Sequence, residues 1–150
     1  MKILALQQKS NTGKTTVITK LYHKLSVSYK KLAFQKENGY EDFSAVFDID
    51  GHFVGITSIG DSEKELRCAF AFLEKHNCEL IVACCRKKKD SGKSKEFIIK
   101  KASEYNTDII WYTKAYLLQH NSLYNVCEEI DFMNDIQAHI LLKEISLQIE

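Results

Sequence analysis

Short apolar runs alternating with amphipathic helical stretches mark this 150-residue chain as an α/β protein, with a mainly parallel sheet, one antiparallel hairpin and helices on both faces. Three observations carry that reading. Unbroken apolar runs recur at 3–6, 80–85 and 109–112, as in strands buried on both sides. Stretches of 3.6-residue periodicity separate them. Between them one strict alternation, Phe43, Ala45, Phe47 and Ile49, runs into Asp50-Gly51, a two-residue pair suited to a hairpin turn.

Taken in order, residues 2–7 predict a buried strand. A helix over 15–28 follows with Val17, Ile18, Leu21 and Leu25 on one face, and then a second strand at 32–35. The Asp50-Gly51 turn sets Phe47 opposite Val54 and Ala45 opposite Ile56, so both strands of the hairpin turn one apolar face inward. Ser62 with Glu65 forms a capping box that opens a helix with Leu66, Ala69, Phe70 and Leu73 inside. The strand at 80–85 is followed by a basic stretch, 86–95, and by a helix with Phe97, Ile98, Ala102 and Tyr105 inward. Another buried strand is expected at 109–112. The C-terminal segment, about 121–150, reads as helix with Leu123, Val126, Ile130, Met133, Ile136, Ile140 and Leu141 periodic, and Asn134 marks where a break would fall.

The length fits one domain, 1–150, with room for a core. A net charge of +1 gives no general attraction to nucleic acid or to acidic membranes. No apolar run reaches membrane-spanning length, and Gln7, Gln8 and Lys9 cut the first apolar run too early for a secretory segment. A soluble cytoplasmic protein is expected. The five cysteines lack C-x-x-C spacing, so they are read as reduced and mostly buried thiols rather than as a metal or disulfide framework.

Chemistry concentrates at residues 8–16, where Gln8, Lys9, Ser10, Asn11, Thr12, Gly13, Lys14, Thr15 and Thr16 join the first strand to the first helix. A strand–loop–helix ending in Gly-Lys-Thr is the setting in which backbone N–H groups and a helix amino end cradle phosphate. Gly13 lets the backbone approach closely. Lys14 reaches the β- and γ-phosphates, and the Thr15 hydroxyl ligates Mg²⁺. Gln8 stands where the first glycine of G-x-x-x-x-G-K-[ST] belongs, and Asn11 is among the residues that best tolerate a left-handed backbone.

On these residues the chain resembles the P-loop NTPases, with a variant Walker A loop. Lys9 lies five residues before Lys14, the spacing of the signature lysine of the ParA/MinD class, with Ser10 and Asn11 at that class's glycine positions. The runs 54–61 and 81–86 are also similar to small bacterial P-loop proteins without an assigned substrate. The resemblance implies a three-layer P-loop fold binding a nucleoside triphosphate with Mg²⁺. It also implies a homodimer if Lys9 contacts nucleotide across subunits.

Beyond the loop, Asp61 follows a predicted strand at the place for a metal-holding carboxylate, though capping of the next helix explains it equally. It is taken with Thr15 as the metal pair, and with Lys14 as the catalytic pair. Arg86, Lys87, Lys88, Lys89, Lys93 and Lys95 follow the central strand at the edge where α/β sheets bind ligands. There Arg86 is a candidate to cover the triphosphate, the plainer reading being a solvated loop. Asp48 and Asp50 are explained by the hairpin. At 113–116, Thr113, Lys114, Ala115 and Tyr116 lack the aspartate of [NT]-K-x-D, so ATP rather than GTP is the default. The leading expectation is a slow Mg²⁺-dependent ATPase acting as a switch or accessory subunit. A small-molecule or nucleotide kinase is the first alternative. The second is a non-catalytic protein binding nucleotide or, less favoured, nucleic acid.

Overall fold

The computed structural model describes residues 1–8, 14–37, 41–86, 93–113 and 126–150; the side chains of Gln8, Lys14 and residues 126–130 lie outside that description. Among the described residues the chain forms a six-stranded sheet and four helices. In chain order these are β1 (Lys2–Gln8), α1 (Lys14–Ser28), β2 (Lys30–Lys36), β3 (Phe43–Ile49), β4 (His52–Thr57), α2 (Glu63–Lys75), β5 (Leu80–Arg86), α3 (Ser94–Glu104), β6 (Ile109–Thr113) and α4 (Val126–Ile149).

The strand order is β2-β3-β4-β5-β1-β6. β1 runs parallel to β5 and β6, and β4 parallel to β5, while β3 is antiparallel to both its neighbours. Sequence chemistry explains the hairpin. Asp50 and Gly51 both adopt positive φ, 54° and 92°, which a tight turn between twisted strands requires and which Gly and Asp tolerate best. Asp48 closes the turn by accepting from the Gly51 N–H at 2.9 Å. The resulting register sets Phe47 opposite Val54 and Ala45 opposite Ile56, as the alternation predicts.

Strand alternation divides the core into two clusters. Leu4, Leu6, Phe47, Val54, Val82 and Cys84 pack with α1 and α4, whereas Ile3, Ala5, Val46, Ile81 and Cys85 pack with α2 and α3. The capping box at α2 is present, with the Glu65 N–H donating to Ser62 Oγ at 3.3 Å and Ser62 Oγ donating to Glu65 Oε2 at 2.8 Å. Gly60 sits where a Cβ would lie 2.7 Å from the Cys84 backbone, so the segment after β4 lies directly against β5.

Two expectations need correction. β6 is an edge strand with partly exposed residues, not a buried one, because the sheet order leaves it next to β1 alone. α4 runs unbroken through Asn134, and its inward residues are Asn134, Gln137, Ala138, Leu141 and Ile145, whereas Ile136 and Ile140 face outward. Cys68 is exposed, while Cys78, Cys84 and Cys85 are buried. Leu123 and the side chains of Val126, Cys127 and Ile130 lie outside the described residues. Among the described residues no helix is long and apolar enough to cross a membrane.

Candidate functional site

Strand direction and crossover decide where a site can form. β1 is followed by α1, which packs on one face of the sheet, while the adjacent β5 is followed by α3, which packs on the other. Chains leaving neighbouring parallel strands toward opposite faces open a crevice beyond the carboxyl ends of those strands. Here the switch point falls between the ends of β1 and β5, Gln8 and Arg86, which are partners in register.

The amino ends of α1, α2 and α3 all follow strands at this edge. α2 carries Glu63 and Glu65 in its first turn and α3 carries Glu96, whereas α1 has no acidic residue there. The first turn of α1 therefore supplies no carboxylate of its own to offset its N–H groups and positive dipole end.

The sequence-predicted residues fall as follows. Lys9, Ser10, Asn11, Thr12 and Gly13 lie outside the described residues, as do Tyr40, Lys87, Lys88, Lys89, Lys114, Ala115, Tyr116 and His120. Lys14 is the first residue of α1. Thr15 is partly buried and Thr16 exposed. Thr15 Oγ1 donates to Asp42 Oδ1 at 3.1 Å. Arg86 ends β5, and its Nε donates to Asp61 Oδ1 at 3.2 Å. Thr15 and Asp61 thus each have a different partner.

Sequence reasoning missed Asp42. It precedes β3, and because β3 runs against the other strands its beginning lies at the same edge as the ends of β1, β4 and β5. Ser58, just after β4, donates to Asp42 Oδ1 at 2.9 Å and accepts from the Phe43 N–H at 3.0 Å. Beneath them Ser44 Oγ donates to Thr57 Oγ1 at 2.9 Å, and Ser44, Thr57 and Ser58 are all buried. Buried hydroxyls demand partners, and this set satisfies itself while fixing the Asp42 carboxylate. The available signal was the hairpin itself, since the first strand of a hairpin must begin where its antiparallel partner ends.

A second group lies on the β1–β6 side. Lys95 Nζ donates to Gln7 Oε1 at 3.0 Å and stands 5.0 Å from the Trp111 ring centroid, and Gln7 Nε2 donates to Thr113 Oγ1 at 3.2 Å. Lys95 is therefore held against the sheet rather than solvated. Ser94 is buried, and its Oγ accepts from the Arg86 N–H at 3.1 Å, tying the start of α3 to the end of β5. A cavity of about 400 Å³ lies at the opposite edge of the sheet, beside Lys2, Glu79 and Gln148, away from every residue named above.

Among the described residues no group of three or more His, Cys, Asp or Glu side chains gathers as a metal cage. Hard oxygen donors are nevertheless in contact in the Thr15 hydroxyl and the Asp42 carboxylate. That donor set suits Mg²⁺, which usually takes one or two carboxylates together with substrate phosphates and water. No protein-family model, curated protein or solved structure matches the chain.

Proposed function

We propose that this protein binds a nucleoside triphosphate, ATP by default, together with Mg²⁺, and turns it over slowly as a switch or accessory subunit. The observation that carries this reading is the coincidence of two independent features at one place. Topology puts the switch point of the sheet between β1 and β5, and Lys14 and Thr15, which complete the Gly-Lys-Thr sequence motif, open α1 just after β1 without an acidic first turn. A three-layer P-loop architecture belongs to the same proposal, and the separate packing of α1 with α4 and of α2 with α3 supports it.

In this reading the α1 amino end and the Lys14 ammonium take up the phosphates, and the Thr15 hydroxyl holds the cation, with Asp61 as the expected carboxylate partner. Mg²⁺ supplies neutralisation of the phosphate oxygens as charge shifts. Arg86, kept in place by Asp61, stands ready to add positive charge at the end of β5.

Thermal melting with ATP and Mg²⁺ tests the binding claim. Ligand at a hundredfold excess over its dissociation constant adds roughly 2.7 kcal/mol of stability, an easily measured rise in melting temperature. Lys14→Ala should remove that rise and, with it, any release of phosphate. If neither ATP nor any other nucleotide raises the wild-type melting temperature, the proposal fails.

A further inference from the structure

Asp42 lies in none of the motifs that point to nucleotide, yet its carboxylate is the partner of the one hydroxyl those motifs assign to the cation. Its Oδ1 accepts from Thr15 Oγ1 at 3.1 Å and from Ser58 Oγ at 2.9 Å. Ser58 is itself fixed, because its oxygen accepts from the Phe43 N–H at 3.0 Å while the Ser58 N–H donates to the Phe43 carbonyl at 3.0 Å. The carboxylate is thus anchored to the β3–β4 ladder before any ligand arrives.

The chemistry of a hydroxyl ligand gives this arrangement a consequence. A neutral hydroxyl binds a cation through an oxygen lone pair, so its proton must point elsewhere and needs an acceptor. Where the acceptor is an anion, the bond is strengthened and the oxygen becomes a better donor to the metal. Thr15 already spends its proton on Asp42, which leaves its lone pairs turned away from that carboxylate. The Asp61 carboxylate takes Arg86 Nε at 3.2 Å.

We infer that Asp42 is the positioning residue that orients the Thr15 hydroxyl toward the cation accompanying the nucleotide. This rests on the nucleotide reading above and adds a residue to it. Asp42 acts through Thr15 and need not touch the metal.

The test is the Mg²⁺ dependence of nucleotide binding, read by thermal shift with ADP present as Mg²⁺ is titrated, and independently by the electron paramagnetic resonance signal of Mn²⁺ in its place. Asp42→Ala should weaken the apparent cation affinity by about 10- to 100-fold. Thr15→Val should do the same, and the double variant should be no worse than either alone, because both changes break one pathway. Asp42→Asn keeps an acceptor oxygen for Thr15 and should recover most of the affinity. It also serves where Asp42→Ala does not fold. Wild-type affinity in Asp42→Ala, additive losses in the double variant, or an Asp42→Asn loss as large as that of Thr15→Val would each overturn the inference while leaving nucleotide binding intact. Failure of the wild-type protein to bind ADP at all would instead remove the nucleotide reading and this inference together.

Discussion

Single residues account for much of the site's order. Gly60 is irreplaceable for a packing reason, since any Cβ there would press on the Cys84 backbone at 2.7 Å, and with Gly60 goes the position of Ser58 and Asp61 on either side. Tyr112 shows how a residue near that edge reports on folding. Its phenol is pushed up to about 12 from an ordinary 10.0, first by burial and then by the bond it donates to Glu144 Oε2 at 2.7 Å. The native state therefore keeps a proton that the unfolded chain gives up first. Stability from this group is complete below pH 10 and is lost as pH rises toward about 12. Urea unfolding across that window should show the loss, and Tyr112→Phe should flatten it. Part of the slope will persist in the variant, because Tyr105 is also raised, by burial and then by the bond it donates to Glu74. Glu74 itself is pulled down despite its burial, because Lys101 Nζ at 2.8 Å and the Tyr105 hydroxyl both donate to it. That cluster ties α2 to α3.

At the scale of elements, legibility followed the strength of local rules. The hairpin register was readable because period-two alternation and Asp50-Gly51 leave only one pairing that buries Phe47 and Ala45 together. The start of α2 was readable because the Ser62 hydroxyl accepts from the Glu65 N–H and donates to the Glu65 carboxylate. α4 was not. Its apolar residues fall almost all round the helix, so periodicity alone does not choose a face, and the choice is made by α1. Lys20 meets Asp131 at 3.0 Å and Lys24 meets Asp135 at 3.1 Å, which rotates Leu141 and Ile145 inward and leaves Ile140 42% exposed. Such partly exposed pairs contribute only about 0–1 kcal/mol each, so they select between rotations more than they hold the helix. Equilibrium unfolding should separate the two faces. Leu141→Ala should cost about 2–5 kcal/mol, while Ile140→Ser should stay within about 0.5 kcal/mol of wild type. Equal costs would return Ile140 to the core.

For the whole molecule, the sheet's order was the part no local pattern contained. Elements can be read one by one, but β5 entering between β4 and β1 is a tertiary fact, and Asp42 gained its partner only through it. The motif at 9–15 stands out in the sequence because glycine, lysine and threonine would each have a separate task at a phosphate in the proposed reading. Asp42, one aspartate before an aromatic strand, has no such signature. The global core also makes a chemical prediction. Burial pushes the Cys78 thiol up to about 12, while Cys68 is exposed. Brief alkylation near pH 8 followed by peptide mapping should label Cys68 in the native protein and leave Cys78 unmodified until denaturant opens the fold. Native labelling of Cys78 at the rate of Cys68 would contradict this packing.

The antiparallel β3 that brings Asp42 to the carboxyl edge of the parallel strands also carries its other end, at Asp50 and Gly51, to the far side of the sheet, a strand length of roughly 20 Å away. Gly51 has open space around its Cα. A short affinity tag inserted at that turn would therefore fix the protein to a sensor surface with the carboxyl ends of β1 and β5 facing solution. The proposed nucleotide and cation binding could then be followed on immobilised protein, with the attachment point opposite the candidate site.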